Sequence, residues 1–254
     1  MAYTFGTTEA ATRRLELVAA FFNPPAEGFV RSFVHSQPGL GLDLGCGPGF
    51  TTDMLARALR SDNVCGMDNS AAFLELARAR YPRYTFIQHD LTATPFPVRP
   101  DVAYVRFVLS HLVEPASLVI RWLGELAPAG LLFIEELEEI ITEVEVFRRY
   151  LAVSTALLRQ QGADLFVGAT IARGDYPAEV LCSEKVLLPV PNGQAASWFL
   201  PNVLTVWERE RFVQETVPAA QRKLIADQLQ HLIDLNDGTS DITWGMRRMA
   251  IRRD

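Results

Sequence analysis

The stretch LDLGCGPGF, residues 42–50, decides how the rest of the chain is read. Leu42, Asp43 and Leu44 close an apolar run, and glycines then fall at 45, 47 and 49. Glycines after a strand let the chain turn sharply and let a ligand lie against bare backbone. The carboxyl edge of a parallel sheet is where nucleotide-like ligands bind. The phosphate-loop pattern GxxxxGK[ST] is absent. The dinucleotide pattern GxGxxG also fails, because Phe50 stands at its third glycine. A plain tight turn accounts for one glycine, but not for three that follow an aspartate.

Outward from this turn, apolar strand-like runs alternate with helical periods. GLGLDLG reads as a buried strand, and Phe50, Met54, Leu55, Ala58 and Leu59 return at helical spacing. NVCGMD (63–68), YTFIQHD (84–90), DVAYVRFVL (101–109) and GLLFIEELE (130–138) read as further strands. SAAFLELARARY (70–81) and PASLVIRWLGELAPAG (115–130) read as the helices between them. Such alternation implies parallel crossovers and a sheet covered on both faces. Before the glycine turn, Ala11, Leu15, Val18 and Phe22 share one helical face. The spacing predicts a helix over 8–22, stopped by NPP at 23–25, and a second over 26–36.

From residue 140 the rhythm becomes mostly helical. A sixth strand is expected at 179–190, further helix over 195–235 with Leu224, Ile225, Leu229, Leu232 and Ile233 on one face, and a last strand at 241–253. The expected architecture is a Rossmann-like, seven-stranded, mostly parallel α/β sheet with an antiparallel last strand. A single domain is expected over 1–254. It comprises an N-terminal helical lid (1–37), a ligand-binding core (38–139), helical insertions (140–178 and 191–238) and the last strands (179–190 and 239–254).

Of the 254 residues, 49% are hydrophobic and 21% charged, an ordinary globular balance. The net charge of −6 and the lack of a long basic run argue against nucleic acid as the main partner. Cys46, Cys65 and Cys182 stand apart, and no CxxC, HxxxH or HExxH occurs. No disulfide framework is indicated, and no metal is expected. No apolar run is long enough to span a bilayer, and the opening residues lack a signal-peptide layout, so a cytoplasmic setting without membrane attachment is expected.

Two further carboxylates extend the site. Asp68 ends the second strand about twenty residues beyond the glycine turn, where an acidic side chain can accept both hydroxyls of a ribose. Asp90 ends the third strand and supplies another acceptor along the same edge.

In order and at normal spacing, LDLGCGPGF, VCGMDNS, FIQHDL, VRFVLSHL and LAPAGLLFIEE resemble the successive motifs of class I S-adenosylmethionine-dependent methyltransferases over residues 38–139. YTFG…TRRLEL, VRFVLSHL and GADLFVG (162–168) are similar to a small-molecule subset of that family, of the kind found in secondary metabolism. The resemblance implies S-adenosylmethionine as cofactor, and with it the absence of phosphate-binding cations. It implies that Gly45, Cys46 and Gly47 line the cofactor, with Asp43 near its amino group. Asp68 and Asn69 would hold the ribose, and Asp90 with the Leu91 backbone the adenine. Arg106 would lie near the methionine part through its backbone. Tyr3 and Arg14 would reach the cofactor carboxylate from the N-terminal lid.

The expected reaction is an in-line methyl transfer to a small molecule, which needs alignment above all; such positioning supplies on the order of 7–11 kcal/mol. His111 is the candidate base. Glu135 and Glu136 end the fifth strand, and one of them, Glu136 foremost, is a candidate to orient the acceptor. Asp175 and Tyr176 are weaker candidates. Trp198, Phe199, Trp207 and Phe212 either roof the acceptor pocket or form the core of their own insertion. RNA or protein methylation, a catalytically silent cofactor-binding partner and nicotinamide-dependent oxidoreduction are the competing functions. The last is disfavoured by Phe50. A monomer or a homodimer is expected.

Overall fold

The structure, a computed structural model, describes residues 9–254. Seven strands form one sheet in the order β3-β2-β1-β4-β5-β7-β6. They are β1 (Gly41–Leu44), β2 (Val64–Asp68), β3 (Thr85–Gln88), β4 (Val102–Arg106), β5 (Leu131–Thr142), β6 (Glu179–Val190) and β7 (Ile242–Arg252). β1 pairs parallel with β2 and β4, β2 with β3, and β4 with β5. The last strand, β7, runs antiparallel between β5 and β6. This is the expected sheet, including the direction of its last strand.

β1, β2 and β4 are short and buried on both faces, while the edge strand β3 is exposed at Thr85 and Gln88. In β4, Ala103 and Val105 pack towards α4 (Pro115–Glu125) with Leu118, Val119 and Trp122. Their neighbours Val102 and Tyr104 point the other way, into a layer with Met54 and Leu55 of α2 (Phe50–Leu59) and Leu74 of α3 (Ala71–Arg80). Near-continuous apolar strands are what a parallel sheet covered by helices requires. Local chemistry sets the helix starts. The Ser70 hydroxyl accepts the Phe73 N–H at 3.3 Å and caps α3, and Pro115 opens α4, where its missing N–H costs nothing.

The N-terminal region departs from expectation. Residues 23–25 do not stop the helix. A single helix, α1 (Glu9–Arg31), runs through Pro24 and Pro25. Phe22, Ala26, Phe29 and Val30 continue one buried stripe across the prolines, while Pro24 is exposed on the far side. Burial of that stripe overrides a local signal that disfavours helix. The separate helix over 26–36 is therefore absent.

β5 also outruns its expected end, continuing to Thr142 through a bulge at Leu137/Glu139. The helices beyond it are α5 (Glu145–Gln160), α6 (Gly168–Ala172), α7 (Asn192–Pro201), α8 (Arg211–Thr216) and α9 (Ala219–Leu235). A π-helical turn, Asn202–Val206, follows α7. On α9, Ile225 and Leu229 face inward, but Leu224 is exposed. With α1, these helices enclose an aromatic core. Phe199 and Trp207 stack on the two sides of Tyr150, at centroid distances of 4.1 and 5.4 Å, and Trp198 meets Phe22 and Trp244. Among the described residues no helix is long and apolar enough to cross a membrane.

Candidate functional site

The carboxyl ends of β1, β2, β3 and β4 open onto a cavity of about 410 Å³. That lies within the roughly 300–1,000 Å³ of small-ligand sites. Its floor is the glycine turn, and one wall is Leu15, Val18 and Ala19 of α1. Asp68, Asp90, Arg106 and His111 face it from successive loops.

The turn needs its glycines. Gly45 sits at φ 75°, and a Cβ there would lie 2.4 Å from Val108 Cγ2. Side chains are disfavoured in that left-handed region and excluded by that contact. At Gly47, φ 50°, a Cβ would meet nothing nearer than Leu15 Cδ1 at 4.0 Å, so the missing side chain leaves open space above the backbone.

Asp68 ties β2 to this turn. Its Oδ2 accepts the Gly47 N–H at 2.9 Å and its Oδ1 the Ser70 N–H at 2.8 Å. Burial raises its pKa, and those backbone donors oppose the rise. Asp90 is exposed at the rim. The Thr92 N–H and hydroxyl donate to its Oδ1 at 2.9 and 2.8 Å and lower its pKa. Leu91 lines the cavity while its carbonyl accepts the Trp122 indole N–H at 2.8 Å.

Gly45, Cys46, Gly47, Asp68, Asn69, Asp90, Leu91, Arg106 and His111 thus come together around one cavity. Asp43 does not join them. It is 1% exposed, and its Oδ2 accepts the hydroxyls of Thr51 and Thr52, both at 2.7 Å. It anchors the first turn of α2, and burial pushes its pKa up to about 6. Thr51 lines the cavity in its place.

Glu136 is likewise drawn away from the cavity. Its fully buried Oε1 accepts the Val108 and Leu109 N–H groups at 2.7 and 2.8 Å. The carboxyl secures the turn that carries His111, and burial pushes its pKa up to about 7. It orients backbone, so a direct contact with an acceptor is not its place in this structure. Glu135 is held between Tyr104, whose hydroxyl donates at 2.6 Å, and Arg248, at 2.7 Å. Tyr176 donates to the Ile171 carbonyl at 2.7 Å, and neither it nor Asp175 lines the cavity. Tyr3 lies outside the described residues.

His111 ends the short 3₁₀ turn Leu109–His111 and lines the cavity. Burial, and secondarily the Arg14 guanidinium, lower its pKa to about 4. The imidazole is therefore neutral at pH 7 and weakly basic. Arg14 acts on His111 from α1 without itself lining the cavity. The aromatic roof is absent: Trp198, Phe199 and Trp207 are core residues of the insertion, and Phe212 packs against that core.

Three contributors carried no sequence signal of their own. Phe107 adopts φ 56°, a strained conformation for a non-glycine residue, at the mouth of the cavity. Asn23 bridges β4 and α2: its Oδ1 accepts Arg106 Nη2 at 2.7 Å, and its Nδ2 donates to the Phe50 carbonyl at 3.0 Å. Arg121 also lines the cavity and donates to the Thr92 carbonyl at 3.0 Å. The wall residues Leu15 and Val18, by contrast, stand on the helical face read from the sequence.

Residues 42–130 match the family described as "Methyltransferase domain". A trans-aconitate 2-methyltransferase of Methylobacterium radiotolerans is 41% identical over 131 residues, 51% of this chain and 50% of that protein. The match thus spans about half the length of that relative. Among solved structures, coclaurine N-methyltransferase bound to N-methylheliamine and SAH aligns at TM-score 0.57 and 16% identity, over 91% of this chain and 72% of that one. YcgJ of Bacillus subtilis aligns at TM-score 0.55 and 14% identity, over 91% and 99%. Residues 42–130 thus resemble a methyltransferase domain in sequence, and the fold of the chain is shared with these solved structures.

Proposed function

We propose that the protein transfers a methyl group from S-adenosylmethionine to a small-molecule acid. The observation that carries the proposal is the single cavity joining the glycine turn, Asp68 and Asp90 along one sheet edge. The residues suit that cofactor. Open space over Gly47 admits a ligand against the backbone, the Asp68 carboxylate suits a ribose diol, and no lysine among the described residues lines the cavity. When bound, the cofactor supplies a methyl group on a sulfonium, which a nucleophile takes in line as the C–S bond breaks towards sulfur.

Asp68 would hold the ribose and Asp90 the adenine edge, while Leu15, Val18 and Ala19 exclude water from the reacting end. The acceptor class rests on two supports. The relative quoted above is named for trans-aconitate, a carboxylic acid. His111, with its pKa lowered to about 4, is a poor base. A carboxylate is already an anion and needs no base before it attacks, so neutral His111 would serve as a hydrogen-bonding wall. Positioning then supplies the rate.

The test is methyl-labelled S-adenosylmethionine incubated with the protein and trans-aconitate, followed by alkaline hydrolysis. An ester product releases labelled methanol under alkali, and a methyl group on nitrogen or carbon does not. Label stable to alkali, or no label on trans-aconitate, would contradict the acid reading.

A further inference from the structure

Arg106 has more binding capacity than the fold uses. The residue is 8% exposed and stands at the end of β4 against the cavity. Its Nη2 donates to Asn23 Oδ1 at 2.7 Å, and its guanidinium carbon lies 5.9 and 5.8 Å from the ring centroids of Phe22 and Phe107. Nη1 is buried and has no hydrogen-bond partner among the described residues. Arg106 forms no salt bridge among the described residues, although its charge acts on the buried Asp43 and Glu136 carboxyls from a distance. A buried guanidinium N–H left unpaired carries a desolvation cost that a native site relieves with a ligand or water.

We propose that Arg106 Nη1 is a carboxylate-binding contact of the cavity, held in its orientation by Asn23. The inference rests on the methyl-transfer reading above. Three chemical arguments select the ligand chemistry. Guanidinium N–H groups are donors only, so the ligand must present an acceptor. A charge-assisted bond to an anion is the strong form of that contact. The cofactor's reacting end is a cation, so an anion between it and Arg106 removes a repulsion that a neutral acceptor atom would leave.

Two carboxylates satisfy this chemistry. The order of the sheet runs from Asp90 on β3 through Asp68 on β2 and the glycine turn on β1 to Arg106 on β4. A nucleoside seated on Asp90 and Asp68 extends its amino-acid tail towards Arg106. An acid entering past Val113 and Glu114 approaches the same group from the rim. The chemistry is shared, and binding measurements separate the sources.

Asn23 is a positioning residue. It joins Arg106 to the Phe50 carbonyl at the start of α2, so that α1, β4 and the glycine turn hold the guanidinium together. Without it the guanidinium loses one fixed bond and swings.

The experiment is calorimetry on the wild type and Arg106→Met with three probes: S-adenosylhomocysteine, 5′-methylthioadenosine, which lacks the amino-acid tail, and trans-aconitate. If the cofactor supplies the anion, the variant binds S-adenosylhomocysteine on the order of 10- to 100-fold more weakly and 5′-methylthioadenosine unchanged. If the acceptor supplies it, S-adenosylhomocysteine binding is unchanged and trans-aconitate binding to the S-adenosylhomocysteine complex falls by a similar factor. Asn23→Ala weakens the same probe by a smaller factor. All three affinities unchanged in a folded variant overturns the inference. Should Arg106→Met fail to fold, the wild type decides by comparing S-adenosylhomocysteine with its decarboxylated analogue and trans-aconitate with its trimethyl ester. Equal affinity within both pairs overturns the inference. A wild type that binds no S-adenosylhomocysteine overturns the methyl-transfer reading instead.

Discussion

Two residues carry most of the local argument, and each gives a measurable consequence. Gly45 combines a left-handed backbone with a Val108 methyl 2.4 Å from the place a Cβ would take. Gly45→Ala is expected to cost on the order of 2–3 kcal/mol of stability, from backbone strain and overpacking together. It should also weaken S-adenosylhomocysteine binding by displacing the turn; denaturant unfolding and calorimetry report the two effects. Glu136 ties stability to pH. Its pKa is raised from 4.5 to about 7 in the folded chain. Below pH 4.5 both states hold the proton. As pH rises from there to 7 the unfolded chain releases it first, so Glu136 weakens the fold progressively over that window. The change is at most about 3 kcal/mol by linkage. Glu136→Gln keeps an oxygen for the Val108 and Leu109 N–H groups and removes the titration. The stability of the wild type relative to this variant should therefore fall between about pH 4.5 and pH 7 and level off above it. A constant difference would contradict the buried, raised carboxyl.

At the scale of elements, the helices after β5 build a core of their own. Trp207 is fully buried and stacks on Tyr150, whose hydroxyl accepts Asn202 Nδ2 at 2.7 Å. Trp207→Ala is expected to cost about 3–5 kcal/mol, and Trp207→Phe less. Neither reaches the cavity, so the Phe variant should leave S-adenosylhomocysteine affinity within about twofold. A stable Phe variant with a raised KM for the acceptor would return these aromatics to the roof of the site. The elements also explain what was legible in advance. β1, β2 and β4 announced themselves as apolar runs bounded by turn residues, because strands buried on both faces leave no room for polar alternation. α1 did not, because Pro24 and Pro25 are local helix breakers, and only the buried stripe from Phe22 to Val30 keeps the helix continuous. Glu135, Glu136 and Asp43 were legible as carboxylates near the sheet edge. Their burial, which turns them towards backbone, threonine and arginine partners, depends on contacts distant in sequence. Asn23 and Arg106 meet across 83 residues, and no spacing rule brings them together.

For the whole molecule, the sheet order places four strand ends side by side, so one extended ligand can touch loops separated by more than sixty residues. The glycine turn, Asp68 and Asp90 were readable from sequence because each directly follows a strand. The shape above them was not, since α1 and the strained Phe107 turn close it through tertiary packing. Isothermal calorimetry of the wild type and Asp68→Ala with S-adenosylhomocysteine is the most direct test of the account. It predicts saturable one-to-one binding to the wild type and an affinity lower by on the order of 10- to 100-fold in the folded variant, as expected for lost hydrogen bonds to a charged group. No heat with the wild type, or equal affinity in both proteins, would contradict it.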